Sequence, residues 1–420
     1  MAKKKRDLLD EIIDIQNDWN ALQHTGDDLV SQLTADPADE VVYNPDDYRE
    51  RPRANSIYCA TGVMRNVNAC RRCLDVCPVN AITISGATVR VGDGCLRCGL
   101  CVAACPTEVF QIRGNAPLAL YDKIARVATA YEQCYVTCTH ALDRRPEPNE
   151  VLLPCVGIIA PEVWFSLLVE FPNLSVYLPL GICDECETTT GEETYCEAIA
   201  AGEEWSGESV GYEVDERDLG REQKRAYKRS QFVSSMTQAG TRLVSRTTPV
   251  LAGAQAVANR LKAHSQQITA MQQALDRTVA TQGPHARRRV LTRKRRLLMG
   301  GLQRYPDLAD EMRLEFPMVD AERCTMCGDC EKACTVHALQ IDDLGRVHIE
   351  QPYCVCCGAC AAVCAEDAIR MSARTCEELV VPDEEAEKRA RQRARASKAR
   401  AKSKQTLQKG LDMLEGLADD

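Results

Sequence analysis

The hydrophobic positions change their period several times along the chain, and each change marks a different kind of element. Residues 5–24 place Leu8, Ile12, Ile15, Trp19 and Leu22 at steps of four and three, which makes one apolar stripe on a helix. That stripe docks either on the rest of the protein or on a partner. Residues 34–54 are rich in proline and aspartate and read as an extended linker. Ala81-Ile82-Thr83-Ile84, a turn at Ser85-Gly86 and Val89-Arg90-Val91 predict a short hairpin. The same plan returns with Ala338-Leu339-Gln340-Ile341, a turn at Asp342-Asp343-Leu344-Gly345, and Val347-His348-Ile349. Between the hairpins, Cys134–Thr137, Val151–Leu153 and Ser175–Leu178 read as strands. Pro161 to Phe171 reads as a helix, with proline in its first turn. A strand–helix–strand unit of this kind implies a parallel sheet and a right-handed crossover.

Residues 220–304 read as helical. Thr248-Pro249 suits an N-cap and first helical position. Val257, Leu261, His264, Ile268, Met271 and Leu275 keep a four–three spacing, and Gly283-Pro284 stops the helix. A second helix is expected from Arg287 to Met299, ending at Gly300-Gly301. The resulting helical hairpin packs either across the rest of the chain or on a partner. Residues 382–420 read as a charged helix or disordered tail.

A chain of 420 residues is too long for one core, so several domains are expected. The pattern gives a multidomain α+β protein, divided as 1–54 (helix and linker), 55–115, 116–205 (small α/β domain), 206–310 (basic helical region), 311–376 and 377–420 (tail). The net charge of −9 hides an acidic stretch at 183–218 and basic stretches at 221–304 and 388–409. The arginine runs Arg287–Arg289 and Arg293–Arg296 lack interleaved aromatics, so they read as a solvated or partner-facing surface, and nucleic-acid binding is not expected. No stretch of about 18 apolar residues occurs, so no membrane span is expected. The opening Met1-Ala2-Lys3-Lys4-Lys5-Arg6 contains no apolar signal core, which points to the cytoplasm.

The 24 cysteines change this picture most. Cys95, Cys98, Cys101 and Cys105, followed by Pro106, have the spacing C-x2-C-x2-C-x3-C-P. Near-copies occur at Cys70–Cys77, Cys324–Cys334 and Cys354–Cys364. Zinc sites use pairs separated by a longer loop, and clustered thiols favour a reducing compartment over disulfides. The runs at 55–115 and 311–376 resemble two-cluster bacterial ferredoxins, and the resemblance implies 4Fe–4S clusters. In that family the fourth cysteine of each run serves the neighbouring cluster. The resemblance therefore groups Cys59, Cys70 and Cys73 with Cys105. It groups Cys95, Cys98 and Cys101 with Cys77, then Cys324, Cys327 and Cys330 with Cys364, and finally Cys354, Cys357 and Cys360 with Cys334. Cys59 is recruited because Val67 stands where the first ligand of its run belongs. Thr335 and Ala365 replace the proline that usually follows the fourth cysteine, a change expected to alter hydrogen bonding near the sulfur.

Of the remaining cysteines, Cys138, Cys155, Cys183 and Cys186 follow three predicted strands, and consecutive strand ends of a parallel sheet share one edge. Cys134 is an alternative to Cys138, and His140 lies near. They form a fifth iron–sulfur centre, a zinc site or simply small buried side chains. Leu153-Pro154-Cys155-Val156-Gly157 and Gly181-Ile182-Cys183-Asp184-Glu185-Cys186 loosely resemble the iron–sulfur delta subunit of methyl-viologen-type hydrogenases. That resemblance implies a fifth metal centre, 2Fe–2S being one form. Cys196, Cys356 and Cys376 are not read as ligands, and Cys356 is expected to point out of its loop.

No dinucleotide, Walker or G-x-S-x-G motif occurs. The expected function is that of a polyferredoxin-like electron-transfer subunit with four 4Fe–4S clusters. Its expected partner is a hydrogenase, a molybdopterin oxidoreductase or a flavin-based reductase. The alternatives are a catalytic iron–sulfur reductase acting at the middle-domain cysteines on a disulfide, and a metal-stapled binding scaffold.

Overall fold

The computed structural model of the chain describes residues 43–63, 70–220, 289–342 and 345–381, with Gln266 and Met271. The helix expected over 5–24, most of the basic hairpin and the tail over 382–420 lie outside the described residues. From Pro45 onwards the described residues belong to one compact unit.

The first cysteine-rich module contains β1 (Arg53–Ala54), α1 (Ala60–Val63), α2 (Arg72–Asp75), β2 (Ile82–Ser85), β3 (Thr88–Val91), α3 (Leu100–Ala104) and β4 (Phe110–Gln111). The predicted hairpin forms, with Ile82 opposite Val91 and Ser85 opposite Thr88. The linker expected over 34–54 is not extended throughout. Pro45–Tyr48 make a 3-10 turn, and β1 pairs antiparallel with β4. Polar contacts pin this segment: Glu50 accepts from the Arg113 and Gly114 amides, and Arg51 donates to Asp93. Such contacts leave no periodic trace in a sequence.

The middle region follows as α4 (Pro117–Ala130), β5 (Cys134–Cys138), β6 (Glu150–Leu153), α5 (Pro161–Leu168), β7 (Leu174–Tyr177), α6 (Gly191–Ser206) and β8 (Gly211–Glu213). Its strands form one parallel sheet in the order β6-β5-β7-β8. The crossover through α5 therefore passes β5, and α5 ends three residues earlier than expected. Every residue of β5, β6 and β7 is buried, as a sheet covered on both faces requires. The expected boundary at 205 falls inside α6, and β8 carries the sheet beyond it. Gly220 closes this region, donating to the Tyr135 hydroxyl and accepting from Asn149.

Helix α7 (Arg293–Arg304) is capped by Thr292, whose hydroxyl accepts from the Arg295 amide. It starts later than expected and runs through Gly300-Gly301 instead of stopping there. Gly301 is needed for close approach: a Cβ there would lie 2.6 Å from Cε1 of Phe165. The basic run on this helix is not a solvated face, since Lys294 and Arg295 are 2% and 5% exposed.

The second module contains α8 (Leu308–Glu311), β9 (Arg313–Val319), α9 (Asp329–Ala333), β10 (Leu339–Ile341), β11 (Val347–Ile349), α10 (Ala359–Ala362) and β12 (Ile369–Thr375). β9 and β12 pair antiparallel from Arg313–Thr375 to Val319–Ile369, and β10 and β11 form the second predicted hairpin.

One hydrophobic core runs from Val102 and Phe110 through Ile124 and Val136 to Trp164 and Leu167. A second joins Phe165, Leu298, Met299 and Leu302 to Phe316, Tyr353 and Cys376. Trp164 and Phe165 are neighbours on α5, so that helix holds both cores together. Each such apolar side chain contributes about 1.5–3 kcal/mol on burial. No helix among the described residues is long and apolar enough to cross a membrane.

Candidate metal centres

Three of the four cysteine runs share the same backbone devices. Gly99, Gly328 and Gly358 take φ of 84°, 80° and 77°, a left-handed turn that glycine adopts without strain. The residue before the second cysteine, namely Arg97, Met326 or Cys356, is also left-handed. So is the residue three beyond each fourth cysteine: Asn80, Glu108, His337 and Asp367. These turns aim amides at sulfur. Ala81 donates to Cys77 Sγ at 3.2 Å, Val109 to Cys105 Sγ at 3.3 Å, and Ala368 to Cys364 Sγ at 3.3 Å. Burial pushes the Cys334 thiol up, and amides from Leu339, Ala338, Val336 and His337 oppose that shift. Hydrogen bonds of this kind favour the thiolate, the form that binds metal. Loss of proline does not remove them, because Ala365 leaves the bond at Cys364 in place. Thr335 uses its hydroxyl instead, donating to the Tyr58 carbonyl of the first module at 3.0 Å.

Cys59, Cys70, Cys73 and Cys105 line one cavity of about 420 Å³, with Ile84, Val89 and Phe110 as apolar walls. Cys77, Cys95, Cys98 and Cys101 line a second of about 350 Å³. Burial pushes the Cys73 thiol up to about 12, and the nearby Cys105, Cys70 and Cys59 add to this. Cys101 is raised in the same way, by burial and then by Cys98 and Cys95. In the second module Cys330 and Cys360 share one buried patch, with Cys334 and Cys364 packed against it. Burial, then Cys327 and Cys324, raises Cys330 to about 11, and burial, then Cys357 and Cys334, raises Cys360 to about 12.

Cys354 departs from this pattern. Its thiol hydrogen-bonds to Cys356, which does not simply point outwards as expected. Cys356 Sγ lies 3.5 Å from Arg295 Nη2. The bond from Cys354, and then the guanidinium, holds Cys356 below the ordinary thiol range. Cys376 is fully buried in the second core, and Cys196 is exposed on α6.

Cys138, Cys155, Cys183 and Cys186 line a third cavity of about 340 Å³ together with His140 and Tyr195. Cys138 ends β5 and the other three follow the carboxyl ends of β6 and β7, so all four lie at one edge of the parallel sheet. Cys134 begins β5 at the opposite end, fully buried and outside this cavity. Burial pushes Cys183 up to about 11, opposed by a hydrogen bond from Tyr195. Gly191 makes room for the sulfur, since a Cβ there would stand 3.0 Å from Cys155 Sγ. Neither Tyr195 nor Gly191 stands out within an acidic helical sequence.

The cysteine groups also adjoin one another. Cys98 acts on Cys155, Cys73 on Cys101, Cys70 on Cys357, and Cys330 on Cys360. Contacts between elements agree with this order. Gly157 meets Leu100, Gly99 meets Ile158, and the Thr190 hydroxyl donates to the Val76 carbonyl. Cys357 stands in the wall of the first cavity, and Ala60 packs with Ala333, Ala359 and Val363 across the two modules. Among the described residues no three His, Cys, Asp or Glu side chains close on one ion-sized position.

Two family models match the chain. A 4Fe–4S dicluster domain matches residues 68–109, and a 4Fe–4S binding domain matches residues 317–340. The chain thus carries ferredoxin-type iron–sulfur binding domains. No curated protein and no solved structure gives a significant match.

Proposed function

We propose that the chain relays single electrons through four 4Fe–4S clusters and a fifth iron–sulfur centre, as a cytoplasmic subunit of a larger oxidoreductase. The two modules act as a duplicated pair of two-cluster ferredoxins, and the middle sheet acts as a region akin to the delta subunit of methyl-viologen-type hydrogenases. The observation that carries this reading is the order of the cysteine groups. Each adjoins the next in the order of the Cys138–Cys186 group, the Cys77/Cys95 group, the Cys59/Cys105 group, the Cys334/Cys357 group, and the Cys324/Cys364 group. Iron–sulfur clusters supply one-electron steps over a wide range of potentials. The chain's own residues aim backbone amides at the sulfurs and line the cavities with apolar walls such as Val89 and Phe110. The partner is a redox enzyme: a hydrogenase, a molybdopterin oxidoreductase or a flavin-based reductase.

Anaerobic purification followed by iron and sulfide analysis tests this. Roughly 18–20 irons per chain are expected, and about 16 would remove the fifth centre. Dithionite is expected to reduce the protein reversibly, with spin coupling between adjacent centres. Zinc with little iron, or no reversible reduction, would overturn the relay and favour a scaffold.

A catalytic role at the third cavity is the second reading. It is supported by Tyr195, whose hydroxyl bonds to both Cys183 and the exposed Cys196. A disulfide substrate that changes the paramagnetic spectrum of that centre would favour it.

A further inference from the structure

Two consecutive side chains of α7 reach into the backbone of both modules. The Lys294 ammonium donates to the carbonyls of Ala103 and Cys105 in the first module, the latter at 3.0 Å. The Arg295 guanidinium donates to the Cys354 carbonyl in the second. Both residues are almost wholly buried. Among the described residues no carboxylate forms an ion pair with either, and Arg295 Nη1 has no hydrogen-bond partner. Glu108 is an acid close to Lys294. It pairs with Arg293 at 3.6 Å and accepts the Lys294 backbone amide at 2.7 Å.

Burying a cation costs several kcal/mol unless an anion answers it. Carbonyl oxygens, and for Arg295 the Cys356 sulfur 3.5 Å away, answer it only in part. The anion that fits is a thiolate-ligated cluster, which is negative when oxidised and gains one further negative charge on reduction. The two carbonyls belong to cysteines of the two groups that face each other across the modules, where Cys357 enters the wall of the first cavity.

We propose that Lys294 and Arg295 are positioning residues that bind the two modules together and make the two facing centres easier to reduce than the outer ones. A fixed positive charge favours the reduced state of a nearby centre through Coulomb attraction, most strongly where water is excluded. Each transfer along that order oxidises one centre and reduces the next by one electron. Electrons entering from either end therefore settle at the junction before crossing between modules. The outer groups, around Cys98 and Cys327, have no comparable buried cation on a ligand carbonyl among the described residues. This inference rests on the relay reading given above.

The test uses full-length protein purified anaerobically, with iron analysis and a potentiometric titration followed by paramagnetic resonance. Lys294→Gln and Arg295→Gln are each expected to lower the potential of one centre while the iron count stays at the wild-type value. At a fixed ambient potential the ratio of reduced to oxidised centre should fall about tenfold or more. Lys294→Arg and Arg295→Lys should restore most of it. Glu108→Gln removes the nearby negative charge and should shift the Lys294-linked centre in the opposite direction, which reads how strongly charge at this position acts on that centre. Unchanged potentials in iron-replete glutamine variants would overturn the proposal. So would a lowered or unchanged potential in Glu108→Gln, which stands as the deciding measurement if the glutamine variants fail to fold. Wild-type protein without iron would instead sink the relay reading itself.

Discussion

Gly99 and Gly328 occupy the same place in a cysteine run of each module, with φ of 84° and 80°. A Cβ on Gly99 would stand 2.2 Å from Cδ1 of Ile158, while one on Gly328 would meet nothing within 4 Å. The contrast extends around each loop. In the first module α3 is buried from Leu100 to Ala103 against the middle sheet. In the second, Met326 is 59% exposed and Cys327 is also exposed. The cysteine spacing therefore dictates the loop and its amide-to-sulfur bonds, while docking decides how much solvent each centre meets. Exposure and nearby charge set the potential of an iron–sulfur cluster, so equal motifs here give unequal centres.

The largest effect expected from this contrast comes from removing one cysteine in each module. Cys105→Ser and Cys364→Ser should each cost about four irons under the relay reading. Their effect on stability should differ. Cys105 is buried within the core shared by the first module and the sheet, whereas Cys364 is half-buried and packs at the margin of a smaller patch. Metal ligation is folding free energy, so Cys105→Ser should lower the anaerobic unfolding temperature by several degrees more than Cys364→Ser. An equal or reversed order would show that the modules unfold independently and that the shared core couples nothing.

A smaller effect isolates the docking. Gly99→Ala and Gly328→Ala carry the same backbone penalty of about 1–2 kcal/mol, because both residues are left-handed. Only Gly99→Ala also forces Ile158 aside, and overpacking of this kind adds about 1–3 kcal/mol. Denaturant midpoints of the two iron-loaded variants measure the difference. If they match, Ile158 relaxes freely and the first module is less tightly docked than its burial implies.

The same contrast explains what could be read in advance. Both hairpins, the three buried strands and the cysteine runs are local patterns, and they lie where the sequence places them. Features created by distant partners were not legible. β8 is only Gly211-Tyr212-Glu213 and becomes a strand by pairing with β7. Residues 45–54 look like linker until β1 pairs with β4 and Glu50 accepts from the Arg113 amide. Lys294 and Arg295 look like a solvated face because a basic run usually is one. Their burial depends on carbonyls about 190 and 60 positions away. Cys356 was expected to turn outwards, and Arg295 together with Cys354 holds it instead.

The smallest effect concerns the missing prolines. Pro78 and Pro106 follow the fourth cysteines of the first module, and Thr335 and Ala365 stand in those places in the second. The turns are otherwise alike, with a left-handed residue three positions after the cysteine in all four. Neither the Thr335 nor the Ala365 amide appears in a backbone hydrogen bond among the described residues. Proline at either position would therefore restrict the unfolded chain without removing a native backbone bond, a gain of about 0.4–1 kcal/mol. Ala365→Pro should show that gain in full. Thr335→Pro should not, because it also deletes the hydroxyl that reaches Tyr58 across the modules, and such a bond contributes about 0.5–1.5 kcal/mol. Thermal unfolding should thus rank Ala365→Pro above wild type and Thr335→Pro at or below it. Equal stabilisation by both would mean that the Thr335–Tyr58 bond contributes nothing, and that threonine is not kept there to join the modules.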